Sequence, residues 1–404
     1  MLEGERRDRL MRNLLGLRIV LTSLGVGIAI AFAAAAGYRA TLVLGAAVLG
    51  VSLLAEATQA TFAIPLYTTL LIGRQVFLEQ LRQATNVGLI IALVALGTGV
   101  LPFLAVPLPT GLALLAGTIV LSRRMTPLRP SFDVTQWRGV LRQTLPVALS
   151  GAVHTLYLRS VILTMSLIST ALQTGYFATS YRLVEVLVGV PVLLVGTVFP
   201  VLARSAQTDA ARLRYGVQRM FEAGVAIGMW LAVCTALGAH LAISVIAGRA
   251  GLSAVPVLRI QAAVVGLAFL STTLGFALLS LRRHRELVAA SGLAFAVTLT
   301  LAFVLVGSLG ARGGAIATVS GETALVLTLG SMLRRARRDV SPSLSVVPRV
   351  AVAGVVAAAG ALIVGGPDIL RVALFSAAYA AALVLLRAFP REIGRALLEP
   401  LRGR

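Results

Sequence analysis

The chain has 404 residues, of which 58% are hydrophobic and only 13% charged, against about a quarter charged in an ordinary soluble protein. Its net charge of +21 rests on 36 basic residues, all of them arginine, a bias of genomic base composition rather than of chemistry. Long apolar runs recur along the whole chain, which excludes a soluble globular enzyme and makes this a polytopic membrane protein with no nucleic-acid partner.

The opening stretch MLEGERRDRLMRN is charged, and the apolar run after it is too long for a signal-peptide core and lacks a clear cleavage site. Residues 1–16 therefore read as a cytoplasmic N-terminal segment leading into a true span. Apolar stretches of spanning length lie at about 17–37, 41–62, 84–103, 105–122, 144–168 and 177–202, and then at about 219–247, 255–281, 286–309, 312–333, 346–365 and 368–387. The prolines of PFLAVPLPTG predict a turn between the third and fourth spans. The arginines test this map. Four lie in the N-terminal segment, two in 63–83, five in 123–143, three in 203–218, three in 282–285, four in 334–345 and four in the tail after Phe389, whereas the intervening connections hold only Arg39, Arg249 and Arg312. Seven basic connections alternate with six nearly neutral ones. The positive-inside bias then gives an all-α protein of about twelve transmembrane helices with both termini cytoplasmic, in a bacterial plasma membrane.

The predicted outer connections, such as STALQTG (169–175) and GRAGLSA (248–254), are only a few residues long. A membrane-embedded polymerase or glycosyltransferase needs room there for a sugar and for acids or histidines, so no enzyme is expected. A chain without lysine has no P-loop. His154, His240 and His284 are too scattered for a metal cluster, and the single cysteine, Cys234, excludes an internal disulfide. No cofactor or metal is expected, and a transporter, or a structural relative of one, remains.

A charged group at the centre of a membrane helix costs roughly 2.5–3.5 kcal/mol, so each such residue faces a partner or a water-filled cavity. The candidates are Arg18, Glu56, Arg159, Arg182, Glu185, Glu222, Arg259 and Glu322. Arg182 and Glu185, at i and i+3, share a helix face. They are either a neutralised pair facing neighbouring helices or a cavity wall in which Arg182 meets an anionic substrate. Arg159 has no acid within four residues; it pairs with Glu185, Glu222 or Glu322 from another helix, or presents its fork to phosphate oxygens. Glu56 and Glu322 are candidate proton or cation sites, or carboxylates paired to an arginine or a serine. Arg18 and Glu222, near cytoplasmic ends, and Arg259, at an outer end, can snorkel to headgroups. His154 reads as an interhelical hydrogen bonder. Pro191 removes a backbone donor and predicts a bend beside Arg182 and Glu185.

The stretch LRQTLPVALSGAVHTLYLRSVILTMSLISTALQTGYFATSYRLVEVLVGVPVLLVGTVFPVLAR (141–204) resembles the bacterial polysaccharide flippases of the multidrug/oligosaccharidyl-lipid/polysaccharide exporter superfamily. It shares their proline-containing helix start after an amphipathic stretch, a tyrosine–arginine pair (Tyr157, Arg159), a short outer turn, then GYFATSYRLVE and the closing FPVLAR. GARGGAIATVSGETALVL (310–327) is similar to the family's small-residue helix start. The resemblance covers most of the chain from about residue 14. Two departures stand out. The aspartate common two residues after the arginine is Val161 here, and only four spans are left for the first lobe, whose opening two helices are missing.

The resemblance implies two lobes around a central cavity: an incomplete first lobe (17–122), a cytoplasmic amphipathic connection (123–143), a six-helix second lobe (144–333), a basic cytoplasmic loop (334–345), two extra C-terminal helices (346–387) and a cytoplasmic tail (388–404). It also implies a flippase that moves polyprenyl-pyrophosphate-linked oligosaccharide across the bilayer for surface polysaccharide synthesis. Polysaccharide polymerase or glycosyltransferases would be its partners, and proton or sodium gradients its drive. Three rivals remain open: a multidrug-type exporter of small molecules, a flippase for the peptidoglycan precursor, and a truncated, transport-inactive relative serving as a membrane scaffold.

Overall fold

The computed structural model describes residues 2–68, 72–123 and 129–386, and the expected tail 388–404 lies outside them. The described residues are helical almost throughout, as the composition requires: a backbone in hydrocarbon must satisfy its own polar groups. The helices are α1 (Leu2–Ala35), α2 (Ala40–Thr68), α3 (Ile72–Ala95), α4 (Val100–Ala105), α5 (Pro107–Ser122), α6 (Val134–Ile168) and α7 (Ala171–Thr208). They continue with α8 (Ala210–Leu237), α9 (Ala239–Ala247), α10 (Val255–Ser280), α11 (His284–Leu309), α12 (Ala311–Ala336), α13 (Val346–Val364) and α14 (Asp368–Leu385). Among the described residues, ten helical segments are long and apolar enough to cross a membrane. Of the twelve expected spans, the two outside that ten belong to α3, whose first half carries Arg74, Glu79 and Arg82, and to α6, of which Thr155–Ile168 is the apolar part.

Two expectations need correction. The turn between the third and fourth spans is not in PFLAVPLPTG but at 96–99, where Gly97 takes a left-handed φ of 62° that a side chain would resist. Pro102, Pro107 and Pro109 sit instead in the first turns of α4 and α5, where a helix has no use for their missing N–H. The 219–247 span is broken at Gly238 into α8 and α9. Residues 2–16 are helical and continuous with the first span in α1. Hydropathy marks where a helix is apolar, whereas arginine is a good helix former, so helices run on through the basic connections. Between α7 and α8 only Asp209 is non-helical, and its carboxylate caps α8 by accepting from the Arg212 N–H at 2.9 Å.

The chain divides into two compact units, the first ending at Pro146 and the second beginning at Val147. In the first, α2 packs against α1 and α5, and α3 lies on α5. Its helices are tied by side chains: Gln59 donates to Thr118 at 3.1 Å, Thr110 to Asn86 at 2.6 Å and the Ser52 hydroxyl to the Pro107 carbonyl at 2.9 Å. The start of α6 is pinned to α1 by Asn13, whose side chain accepts from the Asp133 N–H and whose carbonyl accepts from the Trp137 indole, both at 3.1 Å.

In the second unit α10 is the centre, packed by α7, α8 and α12, while α11 pairs with α12, and the α13–α14 hairpin lies on α8. Helices α8 and α10 approach through Gly228 and Gly266: a Cβ on Gly228 would stand 2.9 Å from the Gly266 carbonyl oxygen. Without a hydrophobic drive between helices in lipid, such close packing is what holds them. Gly228→Leu is expected to force α8 off α10 and cost about 1–3 kcal/mol of stability, read as a lower thermal unfolding temperature in detergent; an unchanged melting curve would contradict this crossing. Gln261 on α10 presents the opposite case. It is fully buried, and neither amide atom has a hydrogen-bond partner. Each unsatisfied buried group costs about 1–3 kcal/mol, so Gln261→Leu is expected to raise the unfolding temperature, and calorimetry of the purified variant checks it.

Candidate functional site

Thr170 caps α7, its hydroxyl accepting from the Gln173 N–H at 3.3 Å, and the Gln173 side chain accepts from the Ala311 N–H at 3.0 Å. The first turns of α7 and α12 are thereby joined. One turn on, Phe177 stacks on Tyr181, with ring centroids 5.6 Å apart, and the Tyr181 hydroxyl donates to the Leu158 carbonyl at 3.2 Å. That bond sets α6 against α7 at the level of the next residue, Arg159.

There Glu185 receives two arginines. Its Oε1 is 2.5 Å from Arg159 Nη2 and its Oε2 is 3.4 Å from Arg182 Nη1. Two guanidiniums share one carboxylate, so the cluster carries a net charge of +1. Arg182 is 77% exposed and stands eleven residues into α7, about 17 Å along the axis, within the apolar span Ala171–Gln207. A guanidinium so exposed inside a membrane span does not face hydrocarbon at tolerable cost; it meets water or a polar group. A surface cavity of about 470 Å³, lined by Arg159, Thr179, Tyr181, Arg182 and Glu185, opens at this point.

Behind it lies a second cavity of about 300 Å³, walled largely by apolar residues of α6, α7, α10, α11 and α12. Among its polar residues is Glu322, only 7% exposed. The Tyr157 hydroxyl of α6 donates to Glu322 Oε2 at 2.7 Å, and the Ser271 hydroxyl of α10 to Oε1 at 2.6 Å. One carboxylate thus joins three helices. Thr298 of α11 lines the same cavity, 1% exposed, and its Oγ1 has no hydrogen-bond partner. Glu185 lines both cavities.

Glu56, in the first unit, lies 3.0 Å from Arg82, which also grips Glu79 at 2.5 Å. Arg18 is half-buried and donates to Thr61 at 3.3 Å. Glu222 accepts from Arg219 at 2.9 Å and from Gln218 at 2.7 Å. His240 and Arg259 are exposed; of His154, the backbone alone is described, within α6. Pro191 is buried in α7, which continues past it to Thr208, and its missing N–H leaves the Leu187 carbonyl without a helical donor. In the basic connection after α12, Asp339 is held by Arg337 at 2.8 Å, which pushes the carboxyl down to about 2. That clasp keeps its charges throughout the physiological range.

Sequence reasoning assigned no role to Tyr181, Ser271 or Thr298. The polar triplet Ser271–Thr272–Thr273 inside an apolar helix was a signal for the second of these. Thr298, one of four hydroxyl residues in α11, offered none.

No family model matches the sequence, and no curated protein matches it. Among solved structures, the chain is similar to the lipid II flippase MurJ in an inward closed conformation, with a TM-score of 0.78 over 95% of this chain and 85% of that one, at 12% identity. The common ground is therefore architecture: a multi-pass helical membrane protein in two units that carries the fold of the lipid II flippase MurJ.

Proposed function

We propose that this protein is a flippase that moves a polyprenyl-pyrophosphate-linked saccharide across the bacterial plasma membrane, with Arg159 and Arg182 binding the pyrophosphate. The observation that carries this reading is the cluster, within the apolar span of α7, in which two exposed guanidiniums share one carboxylate. The arginine fork matches phosphate oxygens, and its excess positive charge lowers the barrier for an anionic headgroup while the polyprenyl tail stays in lipid. The helical fold common with a flippase supports the reading, and the absence of a polar outer loop fits a carrier better than an enzyme. Pro191 supplies the soft point at which α7 bends as the site changes access. Glu322 is a site for the coupling ion, with Glu56 a second, exposed one. Both termini on the cytoplasmic side follow from the arginine distribution.

The substrate has two forms in this reading. A saccharide unit of surface polysaccharide follows from the sequence resemblance, and the peptidoglycan precursor follows from the fold common with MurJ. Reconstitution tests both. Proteoliposomes containing the purified chain and a fluorescent polyprenyl-pyrophosphate-linked saccharide are treated with a membrane-impermeant glycosidase or quencher. The protein is expected to expose the inner-leaflet pool within minutes, and protein-free vesicles are not. Transport of a short oligosaccharide but not of lipid II assigns the polysaccharide branch, and the reverse assigns the peptidoglycan branch. Failure with both discards the flippase reading.

A further inference from the structure

Resting on the reading of Arg159 and Arg182 as an anion site, we infer that their cavity holds the junction between a diphosphate and its prenyl chain. The two forks take the phosphate oxygens, and Ile162, Ala178, Ile246 and Ala247 take the first isoprenoid carbons. The saccharide lies outside this cavity.

The lining of this cavity of about 470 Å³ is of two kinds. Arg159, Arg182 and Glu185 are charged, whereas Ile162 of α6, Ala178 of α7, and Ile246 and Ala247 at the end of α9 are apolar. Helix α9 brings its two residues there for a reason that lies in the break at Gly238, which makes it a separate helix packed on α7 and α10. Its Ile243 is fully buried in one cluster with Val184 of α7. Ile246 and Ala247 follow three and four residues later, on the same helix face. Seating Ile243 against α7 therefore delivers them to Tyr181, Arg182 and Glu185. Ile246 is 54% exposed and its neighbour Val245 is exposed as well, so the apolar lining runs out onto the protein surface.

Chemistry selects the ligand. A sugar ring is recognised by several hydrogen-bonding side chains together, and of the two hydroxyls among the described lining residues Tyr181 already donates to the Leu158 carbonyl, which leaves Thr179. In a phospholipid, a glycerol ester puts several polar atoms between phosphate and hydrocarbon. In a prenyl diphosphate the hydrocarbon starts at the phosphate oxygen itself. Charge and hydrocarbon then adjoin with no polar spacer, as the guanidiniums and the isoleucines adjoin in this cavity. Moving the first five-carbon unit from water onto the apolar lining favours binding in proportion to the area covered. Discrimination between saccharides falls to residues outside this cavity.

The test titrates the full chain in detergent with farnesyl pyrophosphate, which carries the prenyl junction without a sugar, and with inorganic pyrophosphate. Ile246→Thr and Ile162→Thr replace apolar surface by a hydroxyl on a side chain of similar shape. Each is expected to weaken farnesyl pyrophosphate about three- to tenfold and to leave inorganic pyrophosphate unchanged, which also shows that the variant is folded. Arg159→Ala is expected to weaken both ligands. The ratio between variants decides, because micelles take up a prenyl chain equally in every sample. N-acetylglucosamine 1-phosphate is expected to bind no more tightly than inorganic phosphate, and dioctanoyl phosphatidic acid to be indifferent to either isoleucine variant. Farnesyl pyrophosphate binding that follows Arg159 but ignores both isoleucines, or a sugar phosphate bound more tightly than phosphate, overturns the junction and leaves the anion site standing. A phosphatidic acid that senses the isoleucines as farnesyl pyrophosphate does overturns the prenyl assignment in favour of a phospholipid. No binding of either pyrophosphate, or binding indifferent to Arg159→Ala, overturns the anion site and the junction together.

Discussion

Arg159→Ala is expected to cut transport of a pyrophosphate-linked saccharide by roughly 10- to 100-fold, with little change in the thermal unfolding temperature. A charge-assisted hydrogen bond to phosphate is worth about 1.5–3 kcal/mol, which corresponds to that range of affinity. The stability effect is small because the Arg159–Glu185 pair is about half exposed, and exposed pairs contribute about 0–1 kcal/mol. Losing Arg159 also removes the excess charge, since Glu185 then neutralises Arg182 alone. Arg182→Ala is expected to act in the same direction, and Arg159→Lys to recover only part of the loss, because an ammonium supplies charge without the planar fork. The proteoliposome assay reads transport, and melting of the same samples reads stability. Normal transport by both alanine variants would sink the anion-site reading. A loss of transport that tracks a loss of folded protein would reduce the cluster to a structural tie.

Glu322→Ala is expected to destabilise the second unit's interior. Glu322 accepts from Tyr157 and Ser271 and so fastens α6, α10 and α12 to one point. Its removal takes an acceptor from the Tyr157 and Ser271 hydroxyls, of which Ser271 keeps the Ala268 carbonyl at 3.3 Å. At about 1–3 kcal/mol for a lost buried hydrogen-bond partner, the change is enough to lower both expression and unfolding temperature. Glu322→Gln keeps an acceptor and adds an amide donor within the same cavity. It is expected to cost about 1 kcal/mol and to retain the fold. Equal melting of the alanine variant and the wild type would mean that the three helices do not depend on this carboxylate.

The architecture was legible because lipid punishes unpaired backbone and buried charge so heavily. Apolar runs marked the helices, and the alternation of arginine marked their connections. The reading failed where hydropathy is blind. It did not see that Gly97 turns the chain while the neighbouring prolines start helices, or that Gly238 interrupts a continuous apolar run. Charged residues inside the apolar stretches stood out, so Arg159, Arg182, Glu185 and Glu322 could be singled out from the sequence. Which of them line one cavity depends on the rotation of α6, α7 and α12, and no spacing encodes that. Hydroxyls were harder still. Most threonines and serines in these helices bond the carbonyl one turn back, as Thr118 does to Leu114 and Thr235 to Leu231. Thr298 differs only in lacking any partner, a property of the packed state.

The break at Gly238 has a bearing on how this protein can be cut and recombined. The new N-terminus it creates on α9 is capped from elsewhere in the chain: the Leu241 N–H donates to the Asp368 carboxylate at 2.8 Å. Farther along the same hairpin, Trp230 donates to Ser376 at 3.0 Å and Tyr379 to the Ala226 carbonyl at 2.9 Å. The last two helices are thus not a detachable appendage but the splint across a fractured one. A chimera that exchanges them with those of a relative must exchange residues 226–241 in the same piece, or α9 loses its cap and the fracture its splint.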